Sequence, residues 1–451
     1  MQTETDVTAL IERFHSCCVL FAIVPGRRLP DSRVALRAAV SGHSHFGIAV
    51  RRGFVWAAVF TCLSANCLCQ AKTPTDDQRQ MAIALEQQGQ TADAEAVWKA
   101  VLKTHPSDAE AYAHLGFLEA RQEHYREAVP LYRKALALKP SMPGLHLNLG
   151  LALFKGGELK EAIAVFTPLL KSTPQSSPEA QRLTALLGLA HYGVGEYAAA
   201  LPYLKKAAAD EPENLQFRML LAHSCLSAKQ YQCVLDTYHE ILLLNAESAE
   251  ADMLAGEALD EMKNTAGAID QFRAAVRADP KEPNAHFGLG YLLWTQNQFD
   301  EAAPEFEAEL VNVPEHAQAL AFLADCYIQT SRSEKAMPLI EKALKIDPNI
   351  ERAHLDLGIL YVDAGRQEDA VREFQLAAKL APLDANPHWR LARLYQAMGK
   401  KEEAAVEFQR TSSLHKAEEE SIAAKLKAAQ EKGKPAEFTG TLPANPATNA
   451  Q

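Results

Sequence analysis

The sequence predicts an all-α fold, a solenoid of tandem helix–turn–helix repeats, and three observations predict it. Prolines recur at a fixed distance, small residues recur at two columns between them, and a bulky apolar residue recurs at a third. The prolines stand at Pro106, Pro140, Pro174, Pro212, Pro280, Pro314, Pro348 and Pro382, and most gaps are 34 residues. The gap from Pro174 to Pro212 is 38, which places a four-residue insertion near residues 176–179. The double gap before Pro280 has Ala246 at the missing place. Ten repeats follow over residues 75–418, starting at Thr75, Ala109, Pro143, Gln181, Leu215, Ala249, Pro283, Ala317, Glu351 and Ala385.

Each repeat reads in order as helix, turn, helix. Position eight is Ala or Gly throughout, from Ala82, Gly116 and Gly150 to Gly358 and Ala392. Position twenty is Ala in nine repeats, among them Ala128, Ala162, Ala268 and Ala370, with Val234 the exception. Position twenty-four is large and apolar, from Trp98 and Tyr132 through Phe272 and Phe306 to Phe408. Small residues let two antiparallel helices approach closely, and the bulky residue fills the seam beside them. Position fifteen is Gly89, Gly157, Gly195, Gly365 or Gly399 in half of the repeats and Asn297 in another. Those residues tolerate the left-handed conformation that ends a helix, so a turn belongs there. The terminal proline stops the second helix. Pro130, Pro202, Pro304 and Pro338 all fall at position twenty-two, inside the second helix. A late start or a slight kink is expected there, because an interior proline loses a hydrogen bond.

A 34-residue unit with Gly or Ala at eight, Ala at twenty, an aromatic at twenty-four and Pro at thirty-two resembles the tetratricopeptide repeat, over residues 75 to about 418. Ala246 and Lys416 depart from the terminal proline, and Glu309 occupies a column that is usually small. The resemblance implies a right-handed superhelix whose first helices line a concave groove. It also implies a protein or peptide partner in that groove. The Lys–Asn pair with which some relatives clamp a terminal carboxylate is missing from positions five and nine. The Asn ladder of sugar-transferring relatives is reduced to Asn148. One repeat cannot bury both faces of its helices, so repeats must stack and the ends need polar cover. Residues 413–432, rich in Ala, Glu and Lys with Ile422 and Leu426 a turn apart, predict a C-terminal capping helix. Residues 433–451, rich in Pro, Thr and Asn, predict a disordered tail.

The N-terminus follows a different logic. Arg51 and Arg52 precede a largely apolar run, Phe54–Leu68, that ends in Cys69, Gln70 and Ala71. That order is a signal peptide over residues 50–71, with cleavage expected after Ala71. Weighed against it are a twin-arginine signal, lipidation near Cys67, and an uncleaved membrane anchor over residues 53–69. Residues 1–49 are Arg-rich, lack Lys and show no repeat, so they are expected to be unstructured, with translation starting near Val50. The expectation is an exported protein, periplasmic or envelope-associated.

The chemistry-bearing residues point away from catalysis. The chain carries 57 acidic against 46 basic residues, net −11, and seven of the basic ones are arginines before Ala71. A surface of that sign repels phosphate backbones, so nucleic acid is not an expected partner, and membrane contact is expected only through the N-terminal segment. His146, His286, His354 and His388 share position four, but stacked repeats lie about 10 Å apart, too far for one metal. Repeat packing or groove lining is the expected role. Cys225 and Cys233 flank the turn of the fifth repeat. Two buried free thiols are the favoured reading, and a disulfide is the alternative in an oxidising compartment. No nucleophile–base pair, phosphate loop or cofactor motif is found. Catalytic, cofactor and metal sites are therefore not expected.

The groove remains. Positions five, nine and twelve of a first helix share one stripe, at spacing i, i+4, i+7. They are Leu147, Leu151 and Phe154 in the third repeat, Leu189 and Tyr192 in the fourth, and Phe287, Tyr291 and Trp294 in the seventh. The ninth repeat adds Leu355 and Ile359, the tenth Trp389, and the sixth the acidic set Glu257, Asp260 and Glu261. Such a stripe predicts an anchor for an extended peptide or helix, unless neighbouring repeats bury it. The expected function is a non-catalytic protein-binding scaffold in cell-envelope assembly or secretion. The alternatives are a lipoprotein component of a larger outer-membrane machine and a regulatory subunit of a separate transferase.

Overall fold

A computed structural model describes residues 74–431; the expectations for residues 1–49, 50–71 and 433–451 lie outside the described residues. Contacts divide the chain into two compact halves, Met1–Ala228 and Lys229–Gln451. The first holds α1 (Pro74–Gln87), α2 (Thr91–Thr104), α3 (Ala109–Arg121), α4 (Tyr125–Leu138), α5 (Leu145–Lys155), α6 (Leu159–Ser172), α7 (Pro178–Gly193), α8 (Tyr197–Asp210) and α9 (Leu215–Ser227). The second holds α10 (Tyr231–Leu244), α11 (Ala249–Glu261), α12 (Thr265–Ala278), α13 (Ala285–Thr295), α14 (Phe299–Asn312) and α15 (Ala317–Gln329). A 3-10 turn, Ser333–Lys335, then leads to α16 (Ala336–Ile346), α17 (Glu351–Asp363), α18 (Gln367–Leu380), α19 (Ala385–Ala397) and α20 (Lys401–Glu431). Among the described residues there is no strand, and the fold is all-α.

Within each half, every helix packs on the next in sequence, and first helices also touch the first helix of the following repeat. Those lateral contacts join α3 to α5 in the first half, and α11 to α13, α13 to α15 and α15 to α17 in the second. The seam inside each repeat is built from the columns legible in the sequence. Phe166 is fully buried against Gly150, and an added Cβ would come within 2.3 Å of its ring. Phe272 is held between Gly256 of its own repeat and Gly288 of the next.

The turn at position fifteen is left-handed in all ten repeats, whatever the residue. Gly89, Gly157, Gly195, Gly365 and Gly399 have positive φ, and so do Asn297, Glu123, Lys229, Lys263 and Ser331. The residue after the turn donates its N–H back five positions, as from His124 to Glu119 O and from Asn264 to Leu259 O. Those bonds close the carbonyls that a helix C-terminus leaves open. The backbone device is therefore constant while its residue varies.

Two first helices begin late. Pro143–Gly144 and Pro283–Asn284 form type II turns, with Gly144 at φ 73 and Asn284 at φ 68, so α5 and α13 start two residues into their repeats. The open N-terminus of α13 is satisfied from another element. Glu309, fully buried on α14, accepts hydrogen bonds from the N–H groups of Asn284 and Phe287 at 3.0 and 3.2 Å. This explains the one acidic residue in a column that is otherwise apolar or Thr, since an anion at a helix N-terminus is stabilised by the N–H groups and the macrodipole. In the first half, buried Glu86 plays a comparable bridging part: it accepts from Trp98 Nε1 at 2.6 Å and meets His114 Nδ1 at 3.0 Å.

Two expectations are corrected in detail, and a third is filled in. Of the four prolines at position twenty-two, Pro338 alone follows a late start, through the 3-10 turn before α16; α4, α8 and α14 run unbroken through Pro130, Pro202 and Pro304. Each of these three prolines is the sixth residue of its helix, so the helix carries it at the cost of one backbone hydrogen bond. The C-terminal helix is not separate, because Lys416 replaces the stopping proline and α20 continues as one helix of 31 residues. The four-residue insertion lengthens α7 to 16 residues, capped by Ser177, whose Oγ accepts from the N–H of Ala180.

Replacing exposed Lys263 by Gly removes the strain of a left-handed side-chain residue and is expected to raise stability by about 1 kcal/mol, read from the urea midpoint. Gly150→Ala forces the Phe166 ring aside and is expected to lower stability by about 1–3 kcal/mol in the same measurement.

Candidate functional site

Position five of a first helix is covered from two sides, by its own second helix and by the first helix of the next repeat. Leu355 shows this, packing among Phe374 of α18 and Leu391 and Leu394 of α19. Leu147 and Leu355 are accordingly buried, and so are Phe154 and Leu189 further along the stripe. These four residues hold the array together and offer a partner almost no surface, which is the alternative that the stripe left open, burial by neighbouring repeats. Leu151 and Tyr192 in the first half, and Ile359 in the second, are half-buried. Trp389 escapes the covering because no described first helix follows α19, and it is 41% exposed with the Arg393 guanidinium over its ring.

The structure brings together the residues of the seventh repeat. Phe287, Tyr291 and Trp294 form one continuous aromatic cluster with Phe322 of α15. Tyr291 and Trp294 stack at 6.1 Å, and Phe322 meets them edge-on at 5.4 and 4.9 Å. Phe287 stacks on His316 at 4.6 Å, and the cluster is rooted in the core through Phe306. Tyr291 is 38% exposed at its surface, so the cluster is fixed below and open above. Edge-to-face and offset packing of this kind fixes ring positions in advance of any partner.

A charged group adjoins the rings that the stripe did not include. Trp294 Nε1 donates to Asp325 Oδ2 at 2.6 Å, and Gln329 Nε2 donates to Asp325 Oδ1 at 3.0 Å. The Arg352 guanidinium lies 4.9 Å above the Trp294 ring. Beside them stand Glu351 and Asp356 on α17 and Arg390 on α19. Asp356 is fully buried; burial, and then the charge of Asp325, hold its carboxyl well above the usual carboxylate range. Burial also raises the Glu351 carboxyl, against the pull of Arg352, and lowers the Arg390 guanidinium pKa, against the pull of Asp356. The sequence carries no clear signal for this group: Asp325 is position nine of the eighth repeat and Asp356 position six of the ninth, columns that also hold Glu257, Arg393, His114 and Arg390 in other repeats.

The shared histidine column is a packing device. His286, His354 and His388 meet Glu305, Glu373 and Glu407 of their own second helices at 2.7, 2.7 and 2.6 Å. His146 lacks the clasp, since Val165 stands at the equivalent place. Among the described residues no cluster of His, Cys, Asp and Glu is arranged to hold a metal ion. Cys225 and Cys233 are both disulfide-bonded, in place of the two free thiols that were favoured. Cys326 is a free, buried thiol whose pKa burial pushes up to about 12.

Paired helices stacked side by side, with their rings presented on first-helix surfaces, define a helical-repeat scaffold of the protein-interaction class. Family models described as tetratricopeptide repeat match residues 75–118, 119–187, 192–258, 235–283, 287–349 and 355–412. The chain belongs to the tetratricopeptide-repeat family. No curated protein matches the sequence. Among solved structures, a tetratricopeptide repeat protein from Parabacteroides merdae is 20% identical over 52% of this chain and 91% of its own, with a TM-score of 0.41. MamA is 19% identical over 38% of this chain and 94% of its own, with a TM-score of 0.34. YrrB, a repeat protein with an unusual peptide-binding site, is 18% identical over 42% and 97%, with a TM-score of 0.33.

The hydrogen bond to Glu373 raises the pKa of His354 above the ordinary 6.5, with burial opposing it. A folded pKa above the unfolded one means that the clasp contributes fully below about pH 6.5 and is lost as pH rises through the folded value. The wild type is therefore expected to lose more stability than His354→Gln between pH 6 and pH 8 (roughly the window set by that shift), as read from urea midpoints.

Proposed function

We propose that this protein is a non-catalytic scaffold that holds a protein or peptide partner against the first-helix face of its second half. Its place of action in this reading is the cell envelope, after export, in assembly or secretion. The observation that carries the binding reading is the aromatic cluster of Phe287, Tyr291, Trp294 and Phe322, anchored in the core and exposed at Tyr291. An exposed ring held rigid by its neighbours loses little conformational freedom on binding, which is what makes aromatic anchors effective hot spots. The wet edge of the face is mixed in charge, with Arg352 and Arg393 above the two tryptophans. The export part is supported by the order of charged, apolar and small residues over 50–71.

The test is crosslinked capture from envelope extract by the full-length chain and by a Tyr291→Glu, Trp389→Glu variant, both residues being exposed enough to change without unfolding. The expected outcome is at least a roughly ten-fold loss of the captured partner by a variant with unchanged helical content. Equal capture by the folded variant would show that this face does not bind the partner.

A further inference from the structure

The start of α17 is secured differently from that of most first helices. Asp108, Ser177, Asn214, Ser248, His316 and Asp384 each accept a hydrogen bond from a backbone N–H in the first turn of the helix that follows. Ile350 holds that place before α17 and has no side-chain acceptor to offer. His354, one turn in, holds the entry instead. Its Nδ1 meets Glu373 Oε2 of α18 at 2.7 Å, and its Nε2 donates to the carbonyl of Pro348, in the turn before the helix, at 2.9 Å. The clasped histidines of the seventh and tenth repeats, His286 and His388, show the glutamate contact alone.

A neutral imidazole carries one N–H, and its other nitrogen only accepts. Both nitrogens of His354 face oxygens with no proton to give, a carboxylate and a peptide carbonyl. The two bonds therefore exist together only in the imidazolium. Loss of one proton breaks one of them, and α17 comes loose from α18 or from the Pro348 turn. Glu373 from α18 and Glu351 from its own helix are the charges that act on the ring; α15 and α16, also packed on α17, place none against it. Glu351 and Arg352 are the first two residues of α17, and Arg352 is the cation over the Trp294 ring. The segment that His354 secures is thus the one that meets the aromatic face.

We propose that His354 is a proton-operated latch: with both ring nitrogens protonated it fixes the start of α17, and with one proton lost it lets Arg352 leave the Trp294 ring. The proposal rests on the reading of that face as the partner-binding surface, and it adds the regulation of that face by pH. The bond to Glu373 favours the charged ring, so the latch is closed below about pH 6.5 and opens as pH rises through the higher folded value. Buried Asp356, two residues on, is also held protonated above the usual carboxylate range, and the test has to separate the two groups.

The full-length chain is followed by mass-detected hydrogen exchange between about pH 6 and pH 8. Amide rates are corrected for intrinsic exchange, and exchange of the His354 ring C–H gives its titration midpoint. The expected result is a midpoint above 6.5 and a loss of about ten-fold in amide protection over the first turns of α17. In Glu373→Gln, which leaves Asp356 in place, the midpoint is expected to fall and the loss to shrink below about two-fold. Ile350→Ser supplies the missing cap and is expected to flatten the protection change while the His354 midpoint stays raised. A midpoint at or below 6.5, flat protection in the wild type, or an undiminished change in Glu373→Gln overturns the latch. Crosslinked capture from envelope extract at the two pH values then tests its link to the face. Capture is expected to be weaker at the higher pH in the wild type and equal at both in Ile350→Ser. Equal capture by the wild type at both, still lost in Tyr291→Glu, Trp389→Glu, overturns the gating and leaves the face. Capture indifferent to that double variant overturns the face and its gating together, while the exchange data decide the latch on their own.

Discussion

Where Phe166 lies against Gly150, and Phe374 against Gly358, two helices meet with only backbone on one side of the contact. That approach sets the distance between the helices of a repeat, and the distance sets everything laid on top of it. Ala at position twenty can be fully buried only because the helices are this close, as at Ala128, Ala162 and Ala370. Each repeat then presents a flat first helix to the next one, and stacking buries position five. At the end of the described residues the same rule shows by its failure: Phe408 is 36% exposed, with no further described repeat packed on it.

The contact also decides what is left for function. Position five is used up in stacking at Leu147 and Leu355, whereas a larger ring at that place, Phe287, reaches across to His316 and Phe322 of the next first helix. The seventh repeat thus converts a packing position into the floor of an aromatic surface. Asp325 enters through the Trp294 indole, and α17 brings Glu351, Arg352 and Asp356 to the same edge. The aromatic surface and array cohesion therefore share residues in the second half.

The architecture was legible in the sequence because its determinants are columns, and columns are visible wherever the same steric demand is met ten times. Even the turns at Glu123, Lys263 and Ser331 could be placed by register, although their residues give no sign of a left-handed backbone. The site was legible in part. Helical spacing identifies which residues share a face, and it correctly joined Phe287, Tyr291 and Trp294. It does not say which neighbour covers that face, so buried Phe154 and Leu189 looked the same as exposed Tyr291. The carboxyl cluster was missed for a related reason: Asp325 and Asp356 sit on different helices, 31 positions apart in sequence, and only lateral packing of α15 on α17 makes them neighbours. The long α20 was read as two pieces although Lys416, the departure that fuses them, was in plain view.

Repeat proteins are commonly regarded as sets of interchangeable cassettes. Glu309 sets a limit on that view here. Its carboxylate, placed on α14, supplies the acceptors that the N-terminus of α13 lacks after its Pro283–Asn284 turn. The two helices of the seventh repeat are thus matched to each other as a lock is to its key. Recombining α13 with the second helix of another repeat would leave the N–H groups of Asn284 and Phe287 without that acceptor, and moving α14 elsewhere would bury a carboxylate against an ordinary seam. The seventh repeat can be inherited only whole, and the aromatic surface it carries is inherited with it.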